Sequence, residues 1–418
     1  MLKRIVAIAF IFVCTSVAWA ILGGTIFSRT YSSDVVSQNR VTSTWGAPQN
    51  QLPPSASFKT VVSRDEETIE NNKKTTKKVQ EEVITYLPPE SSSIDVALNL
   101  EHRQKGLLWY STYTVGFQGD YGFRNPSDKE QTVEFNLKFP TSQAIYDDLV
   151  FAVDGSSVPL TNHDNTASAL VKIGAGKLAQ LRVGYRSQGL NEWRYSFGSS
   201  NVAQVRDFNL RMRTNFKQID FPDNTLSPSQ KRENGSGWDL RWSYTNLVSG
   251  YEIAMVMPEK LQPGPLAGKI SFFAPVSLFF FFFLMFIITT MRGIELHPMN
   301  YFFLAAAFFS FHLLLAYLVD HVSIHAAFAI SSLVSVFLVI SYLRLVVGLR
   351  FASREAALAQ FIYLVMFSYA FFLEGFTGLA ITIGSVLTLF VVMQVTGRIR
   401  WADKFALKPP EQTATQLG

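Results

Sequence analysis

Long apolar stretches open the chain and crowd its last third, and a polar region of ordinary composition separates them. A helix that crosses a hydrocarbon core of about 30 Å needs about 20 mostly apolar residues. Each stretch comes close to that length or exceeds it. The pattern therefore predicts membrane-spanning helices at Ile5–Phe27, Ile270–Met291, Tyr301–Val319, Ile324–Val347, Ala356–Leu373 and Phe376–Thr396.

The polar insert changes its pattern near residue 106. Residues 28–105 are rich in turns and charge, and the run from Arg64 to Glu82 has few apolar residues. We expect this part to be extended and solvated, in part as an exposed hairpin. From residue 106 to 269, apolar and polar residues alternate in short runs separated by turn residues. This alternation predicts strands in an antiparallel β-sandwich, because period two is typical of half-buried strands.

The fold class that follows is a membrane protein with an N-terminal anchor helix, an extracytoplasmic all-β, sandwich-like domain and a C-terminal five-helix transmembrane bundle. The predicted domains are the anchor at 1–27, the charged and turn-rich segment at 28–105, the β-sandwich at 106–269, the five-span bundle at 270–397 and a cytoplasmic tail at 398–418.

The start of the chain also resembles a secretory signal. Lys3-Arg4 precedes an apolar run, and Ala18-Trp19-Ala20 has the small residues of a cleavage site. The apolar run continues to Phe27, which suits a spanning helix better than a signal core. We expect an uncleaved anchor.

The orientation follows from the basic residues, because short loops rich in Lys and Arg stay on the cytoplasmic side. The loops around Asp320-His321 and Glu374-Gly375 carry no Lys or Arg. The ends on the opposite side carry Lys3, Arg4, Arg292, Arg344, Arg350, Arg354, Arg398, Arg400, Lys404 and Lys408. We expect both termini in the cytoplasm and residues 28–269 in the periplasm, with the bilayer as the first partner.

The net charge of +5 is a consequence of this topology. The insert holds 27 Lys and Arg against 26 Asp and Glu, so the excess lies beside the spans. Nucleic acid is therefore not an expected partner. The single cysteine, Cys14, lies in the first span, so the insert forms no disulfide.

The insert shows little catalytic chemistry. It has no Gly-x-Ser-x-Gly elbow, phosphate-binding glycine loop or His-Glu-x-x-His motif. His102 and His163 are too few for a zinc site without cysteines. An aromatic binding platform is the alternative to core packing for Trp109, Trp193, Trp238 and Trp242. The sequence predicts no enzyme, cofactor or bound metal.

The membrane part has a small set of candidate functional polar residues. His312 lies near the centre of the third predicted span, where an ionisable group is costly and is by default a functional candidate. With no acidic residue in the spans to receive a proton, we expect it to be a hydrogen-bonded pin between helices. A solute path remains the alternative.

The remaining candidates lie at the ends of the spans. Asp320, His321 and His325 follow one another closely enough to hold a metal, against the plainer possibility of a polar loop. Glu374 lies in the other outer loop and would join them in an enzyme. On the cytoplasmic side, Glu295 and His297 precede Pro298, which suits a first helical turn, and are expected to cap that helix or to pair with Arg292.

Ordered landmarks along the chain resemble the CreD-like bacterial inner-membrane proteins. These are Trp45-Gly46 with Gln49, Gln51 and Pro53-Pro54; Tyr86-Leu87-Pro88; Glu101-His102-Arg103; Glu295-Leu296-His297-Pro298 with Tyr301; Asp320-His321; Glu374; and Thr396, Arg398 and Trp401. Pro-Pro in place of Gly-Pro, Val319-Asp320 in place of Ser-Glu and Gly375 in place of Asp indicate a divergent member. The resemblance implies a role in envelope stress and integrity, with no defined activity or cofactor.

Three functions are compatible with the sequence. The first is a non-enzymatic envelope protein whose periplasmic β domain engages a periplasmic, envelope or cell-wall partner. The second is a transporter or channel with His312 on the path. The third is a membrane enzyme that uses Asp320, His321, His325 and Glu374. The first is preferred because the β domain is large, nearly neutral and without a catalytic motif.

Overall fold

The computed structural model describes residues 2–70, 73–105, 108–198 and 202–397. It confirms the predicted fold class: an N-terminal helix, a large β domain and a C-terminal cluster of apolar helices. The chain divides into a helical unit and a β unit, and it passes between them after Val35 and again after Lys260. The predicted cytoplasmic tail at 398–418 lies outside the described residues.

The first helix, α1 (Leu2–Trp45), extends well beyond the predicted anchor. The prediction that the chain is extended from residue 28 is therefore wrong as far as Trp45. Residues 28–45 hold few helix-breaking residues, and the helix ends where Gly46 adopts a φ of +130°. A Cβ atom at this position would lie 2.3 Å from the carbonyl oxygen of Gln188, so only glycine fits.

Strands occupy most of the insert that follows. They are β1 (Gln49–Gln51), β2 (Ser55–Glu70), β3 (Lys73–Leu87), β4 (Ser91–Lys105), β5 (Leu108–Arg124), β6 (Gln131–Lys138), β7 (Tyr146–Val153), β8 (Ser156–Ser157), β9 (Thr161–His163), β10 (Thr166–Ile173), β11 (Leu178–Leu190), β12 (Glu192–Tyr195), β13 (Ala203–Thr214), β14 (Gln230–Asn234), β15 (Gly237–Ser249) and β16 (Ile253–Val256). The strands begin well before residue 106, so the β domain includes most of the segment that was predicted to be extended and turn-rich.

Strands β2 and β3 form a long hairpin, which the expectation of an exposed hairpin anticipated. Only Ser55–Phe58 of β2 also pairs with β6, so the rest of the hairpin is a two-stranded ribbon in the described part of the chain. The register places Asp65 opposite Lys78 and Glu66 opposite Lys77. The register therefore sets acidic positions of the sequence against basic ones.

The described strands form three sheets. The large sheet has the order β14-β15-β13-β4-β5-β11-β7-β8, the second sheet β3-β2-β6-β10-β9, and the small sheet β1-β12-β16. Most pairings are antiparallel, as predicted. Two are parallel, β4 with β13 and β1 with β12, because the chain returns to each first strand by a long connection.

One apolar core joins these sheets, as a sandwich requires. Val133, Phe135 and Leu137 of β6 are fully buried and belong to the same cluster as residues of β5. The rings of Phe123 and Phe135 meet edge to face at 5.5 Å across the two sheets. Each such side chain contributes about 1.5–3 kcal/mol on burial, so the core holds the sheets together.

The C-terminal helices begin where the β domain ends. They are α2 (Pro263–Phe272), α3 (Ala274–Arg292), α4 (Pro298–Leu318), α5 (Ile324–Val346), α6 (Leu349–Phe372) and α7 (Thr377–Thr396). In the described part of the chain, six helices are long and apolar enough to cross a bilayer: α1 and α3–α7. The predicted span Ile270–Met291 is interrupted at Phe273, since Pro275 lacks an N–H and starts a new helix.

Helix α6 departs from regular α geometry. Ala352–Ala356 and Phe361–Met366 form π-helical turns, which are frequent at functional sites. The carbonyl of Tyr363 accepts a hydrogen bond from the hydroxyl of Ser277, which joins α6 to α3 at this turn.

Candidate functional site

The residues before α4 cap that helix. Pro298 lies in the first turn, as predicted, and the Nδ1 atom of His297 accepts a hydrogen bond from the backbone N–H of Met299 at 3.2 Å. Glu295 is exposed. Arg292 pairs with Glu355 of α6, which differs from the expected pairing with Glu295 or His297. The structure thus gives His297 a structural role.

His312 is packed between helices. Its side chain is fully buried, and its Nδ1 atom lies 3.1 Å from the carbonyl oxygen of Phe308 one turn earlier. The ring meets the indole of Trp19 on α1 edge to face at 5.6 Å and the ring of Phe311 at 4.8 Å. The hydrogen bond lies within α4, so among the described residues it does not join two helices as the predicted pin would. The contact with α1 is made by the rings of His312 and Trp19.

Asp320 and His325 make contacts with different residues. Asp320 pairs with Arg29 of α1 at 3.3 Å, and Arg29 also donates to the carbonyl of Ala316 at 2.8 Å. His325 stacks on Phe372 with ring centroids 5.2 Å apart. His321 and Glu374 are exposed. Over the described residues, no group of three or more His, Cys, Asp or Glu side chains comes together to hold a metal ion.

Arg29 was not identified from the sequence. It lies just after the first predicted span, where a basic residue is typical and indicates no particular contact. In the structure its guanidinium group lies at the C-terminal end of α4 and 5.4 Å from the ring centre of Tyr317. A cation at this end of a helix is stabilised by the helix dipole. Arg29 therefore connects α1 to the C-terminal end of α4.

Buried hydrogen bonds link the helices of the bundle near their midpoints. Ser335 donates to the carbonyl of Ala307 at 2.6 Å, and Gln360 donates to Ser335 at 2.8 Å, so α4, α5 and α6 are joined. The hydroxyl of Tyr363 donates to Thr388 of α7 at 2.8 Å. In an apolar medium such bonds hold helices together at about 0.6–2 kcal/mol each.

A groove of about 500 Å³ lies between α3, α6 and α7. Phe280, Tyr363, Phe367 and Gly384 are among the residues that line it. His312 is not among its lining residues, so this groove gives no path that includes the histidine. The transport alternative gains no support from it.

The four tryptophans of the insert do not form a common platform. Trp193 and Trp242 are fully buried in the core, as the packing interpretation expected. The indole N–H of Trp238 donates to the carbonyl of Lys217 at 2.9 Å. Trp109 lies beneath the ammonium group of Lys260 at 3.9 Å.

The outward face of the large sheet carries a trough that the sequence did not indicate as a site. We call it the sheet trough. Ala97 of β4, Gly116 and Gln118 of β5, and Gly184 of β11 form its floor. Ion pairs stand around it, and their closest N–O distances are 2.5 Å for Arg213–Asp95, 2.6 Å for Arg182–Asp120 and 2.6 Å for Arg186–Asp148. Its volume is about 500 Å³.

A second depression continues the trough towards β15. It has about 590 Å³ and shares Asp95, Gln118 and Arg213 with the first. Arg211 and Arg241 extend the charged row, and both pair with Asp239. The hydrogen bond from Arg211 holds the pKa of Asp239 below its ordinary value against the opposing effect of burial. This carboxylate is therefore ionised at neutral pH.

The signal for this face was present in the strand alternation. The apolar positions of each strand indicate the core, and the polar positions between them indicate the face that points away from it. Those positions in β4, β5, β11 and β13 carry the charges and small residues of the trough. Strand order decides that they meet, and a single sequence does not contain that order.

On the opposite, buried face of the same sheet the polar groups are neutral tyrosines. Burial raises the pKa of Tyr113, Tyr121 and Tyr185 well above the ordinary value. The Tyr185 hydroxyl donates to Gln51 at 2.6 Å. These hydroxyls stay protonated at physiological pH and serve as structural hydrogen-bonding groups.

The class of protein defined by these features is a membrane protein with apolar helices and a β domain. A family model described as inner membrane protein CreD matches residues 1–402. The chain therefore belongs to the CreD family of inner membrane proteins, which confirms the resemblance drawn from the sequence. No curated protein matches the chain.

Solved structures share only weak likeness with the chain. A Legionella pneumophila protein whose suggested role is nutrient binding has 11% identity and a TM-score of 0.28, over 47% of this chain and 74% of its own. An M1 zinc metallopeptidase from Deinococcus radiodurans has 11% identity and a TM-score of 0.27, over 41% of this chain. The chain spans 42% of that enzyme. These likenesses bear on neither fold nor function.

Proposed function

We propose that this inner-membrane protein is non-enzymatic and acts in envelope integrity or stress response through its β domain, which binds a periplasmic or envelope partner or the cell wall. The observation that carries the proposal is the sheet trough. It is a solvent-facing surface rich in half-exposed Arg and Asp side chains. Neither nucleic acid nor a cofactor is part of the proposal.

The proposed topology places both termini in the cytoplasm and residues 28–269 in the periplasm. The support is the distribution of Lys and Arg, which favours one side of the predicted spans. The proposal keeps the first helix uncleaved, and the packing of Trp19 supports this, since Trp19 is fully buried and meets Phe309 of α4 edge to face at 5.3 Å.

The topology is tested with single cysteines and a membrane-impermeant maleimide, in a Cys14→Ser background. Ser63→Cys lies in the β domain and Ser353→Cys in α6, and both replaced serines are exposed. We expect the first to react in cells whose outer membrane is permeabilised, and the second only after lysis. The opposite pattern would contradict the topology and remove the periplasmic β domain from the proposal.

The function is tested by deleting the gene and measuring survival in detergent and in a β-lactam. We expect sensitivity that the wild-type chain restores. Arg182→Glu in the trough is expected to restore less than wild type, because it reverses a charge in the binding face. Arg232→Glu is the matched control, since Arg232 is exposed on β14 outside the trough. Unchanged survival of the deletion strain would end the proposal.

A further inference from the structure

Gly116, in the floor of the sheet trough, has no packing reason to be glycine. A Cβ atom there would meet only the Cβ of Ala97, at 3.9 Å, which is ordinary van der Waals contact. Its φ is not among the positive values of the described chain. Glycine inside a strand is unfavourable by about 0.5–1 kcal/mol relative to alanine. A residue that weakens the strand without relieving a clash points to a role outside folding.

Other glycines of the same sheet have a packing reason. A Cβ atom at Gly119 would lie 2.6 Å from the ring of Tyr121, and one at Gly189 would lie 2.3 Å from the ring of Tyr113. Both rings belong to fully buried side chains. Gly116 differs because the space above it is open, and glycine in a strand is typical where another backbone approaches closely.

The neighbours of Gly116 keep this space open. Gly184 and Ala97 lie on the strands to either side of β5, so there is little side-chain bulk beside Gly116, and the exposed Gln118 is the largest side chain of the floor. The register places Gly116 opposite Arg186 and Gln118 opposite Gly184. The floor is therefore bounded by Arg186 on one side and by Arg213 with Asp95 on the other.

The bounding ion pairs retain hydrogen-bonding capacity. Arg182 donates to Asp120 through its Nε atom, and Arg213 donates to Asp95 through one terminal nitrogen. A guanidinium group has five N–H donors, and a carboxylate has about four acceptor sites. The rim therefore offers donors to a carboxylate and acceptors to an ammonium group, close to each other.

This combination matches one form of partner. An extended chain points every second side chain to the same face, roughly 6.6 Å apart. We infer that the sheet trough binds an extended peptide segment of a partner protein, in which the side chains on one face alternate between basic and acidic. The inference rests on the proposed function, whose partner it describes. We expect specificity, because a peptide whose charges all have one sign would be repelled by half of the charged side chains around the trough.

The probe is a fluorescein-labelled peptide of three Lys-Thr-Glu-Thr repeats, measured by fluorescence anisotropy against the full chain in detergent. Peptides with Lys alone or Glu alone at the charged positions test the role of charge order, and a Ser-Thr peptide tests the backbone alone. We expect the alternating peptide to bind about tenfold more tightly than the others and to lose affinity with added salt.

The decisive variant is Gly116→Val, with Thr132→Val on the exposed outer face of the second sheet as its matched control. We expect Gly116→Val to keep or raise the melting temperature, since valine favours strands. We also expect it to weaken peptide binding about tenfold by filling the floor. Arg186→Gln, which removes one rim charge without touching the core, is expected to weaken binding with an unchanged melting temperature.

Two outcomes would overturn the inference. One is a Gly116→Val protein that melts several degrees lower and still binds the peptide, since glycine would then be structural. The other is that a peptide with charges of one sign binds as tightly as the alternating peptide or more tightly, or that no peptide binds. If no peptide binds while the deletion strain stays sensitive, the partner class is wrong and the proposed function stands. If the alternating peptide binds while the deletion has no effect, the proposed function fails instead.

Discussion

At the scale of single residues, the meaning of a polar side chain depends on its neighbours. His312 was a candidate because ionisable groups in a membrane are rare, and the structure surrounds it with Trp19 and Phe311. Asp320 was a candidate metal ligand, and in the structure its carboxylate forms an ion pair with Arg29. Both residues were found by sequence pattern, but their partners come from other helices.

The first prediction concerns Asp239, whose pKa is lowered chiefly by the hydrogen bond from Arg211. A carboxylate with a lowered folded pKa stabilises the fold above its unfolded value of about 3.9. That contribution is lost as the pH falls through the lower folded value. We expect Asp239→Asn to cost about 1 kcal/mol at neutral pH, since Arg211 is half-exposed and partly screened.

The measurement is thermal unfolding of both proteins, followed by circular dichroism, between about pH 3 and pH 7. The difference between wild type and Asp239→Asn should shrink as the pH falls. Asp128→Asn, at an exposed position, serves as the control. A difference that stayed constant across the pH range would show that the Arg211 interaction does not stabilise the fold through the carboxylate charge.

At the scale of elements, the hairpin of β2 and β3 shows what pairing adds to sequence. Its charged run has few apolar residues, yet the register sets acidic positions against basic ones. Only its base is part of a larger sheet among the described strands. The outer ribbon should therefore unfold or be removed without disturbing the β domain.

The second prediction is that replacing residues 64–79 by Asn-Gly leaves the melting temperature of the β domain within about 2 °C of wild type. Ser63 and Gln80 stand opposite each other, and Asn-Gly closes such a pair in a tight turn. Phe58→Ala is the contrasting variant, since Phe58 is buried in the core. We expect this substitution to lower the free energy of unfolding by about 3–5 kcal/mol. A large loss from the truncation would mean that the ribbon contributes to the core.

At the scale of the whole molecule, α1 is part of the membrane bundle. Trp19 is fully buried in the apolar cluster that includes Phe308, Phe311 and Leu315 of α4. Its neighbours Ala18 and Ala20 are the small residues of the apparent cleavage site. Removing the chain up to Ala20 would take Trp19 from the bundle.

The third prediction is that the mature protein retains this segment, as intact-protein mass spectrometry of the membrane fraction will show. Trp19→Ala should lower stability in detergent by about 3–5 kcal/mol because it leaves a cavity in the bundle. Val17→Ala is the control, since Val17 is 54% exposed. A mature chain beginning after Ala20 would show that α1 is a signal peptide.

The sequence by itself determined the order of anchor, β region and helical bundle, because apolar length and period-two alternation are local properties of the chain. It also indicated strands between residues 106 and 269, since turn residues separate the alternating runs there. It anticipated an exposed hairpin in the charged run, but it missed the continuation of α1 to Trp45 and the break at Phe273.

The tertiary structure alone decided which outward-facing residues share a surface. Gly116 and Arg213 are far apart along the chain, and they meet because β4 lies between β5 and β13. Period-two alternation gives each strand a buried and an exposed side but does not give the order of strands. The sheet trough exists only through that order.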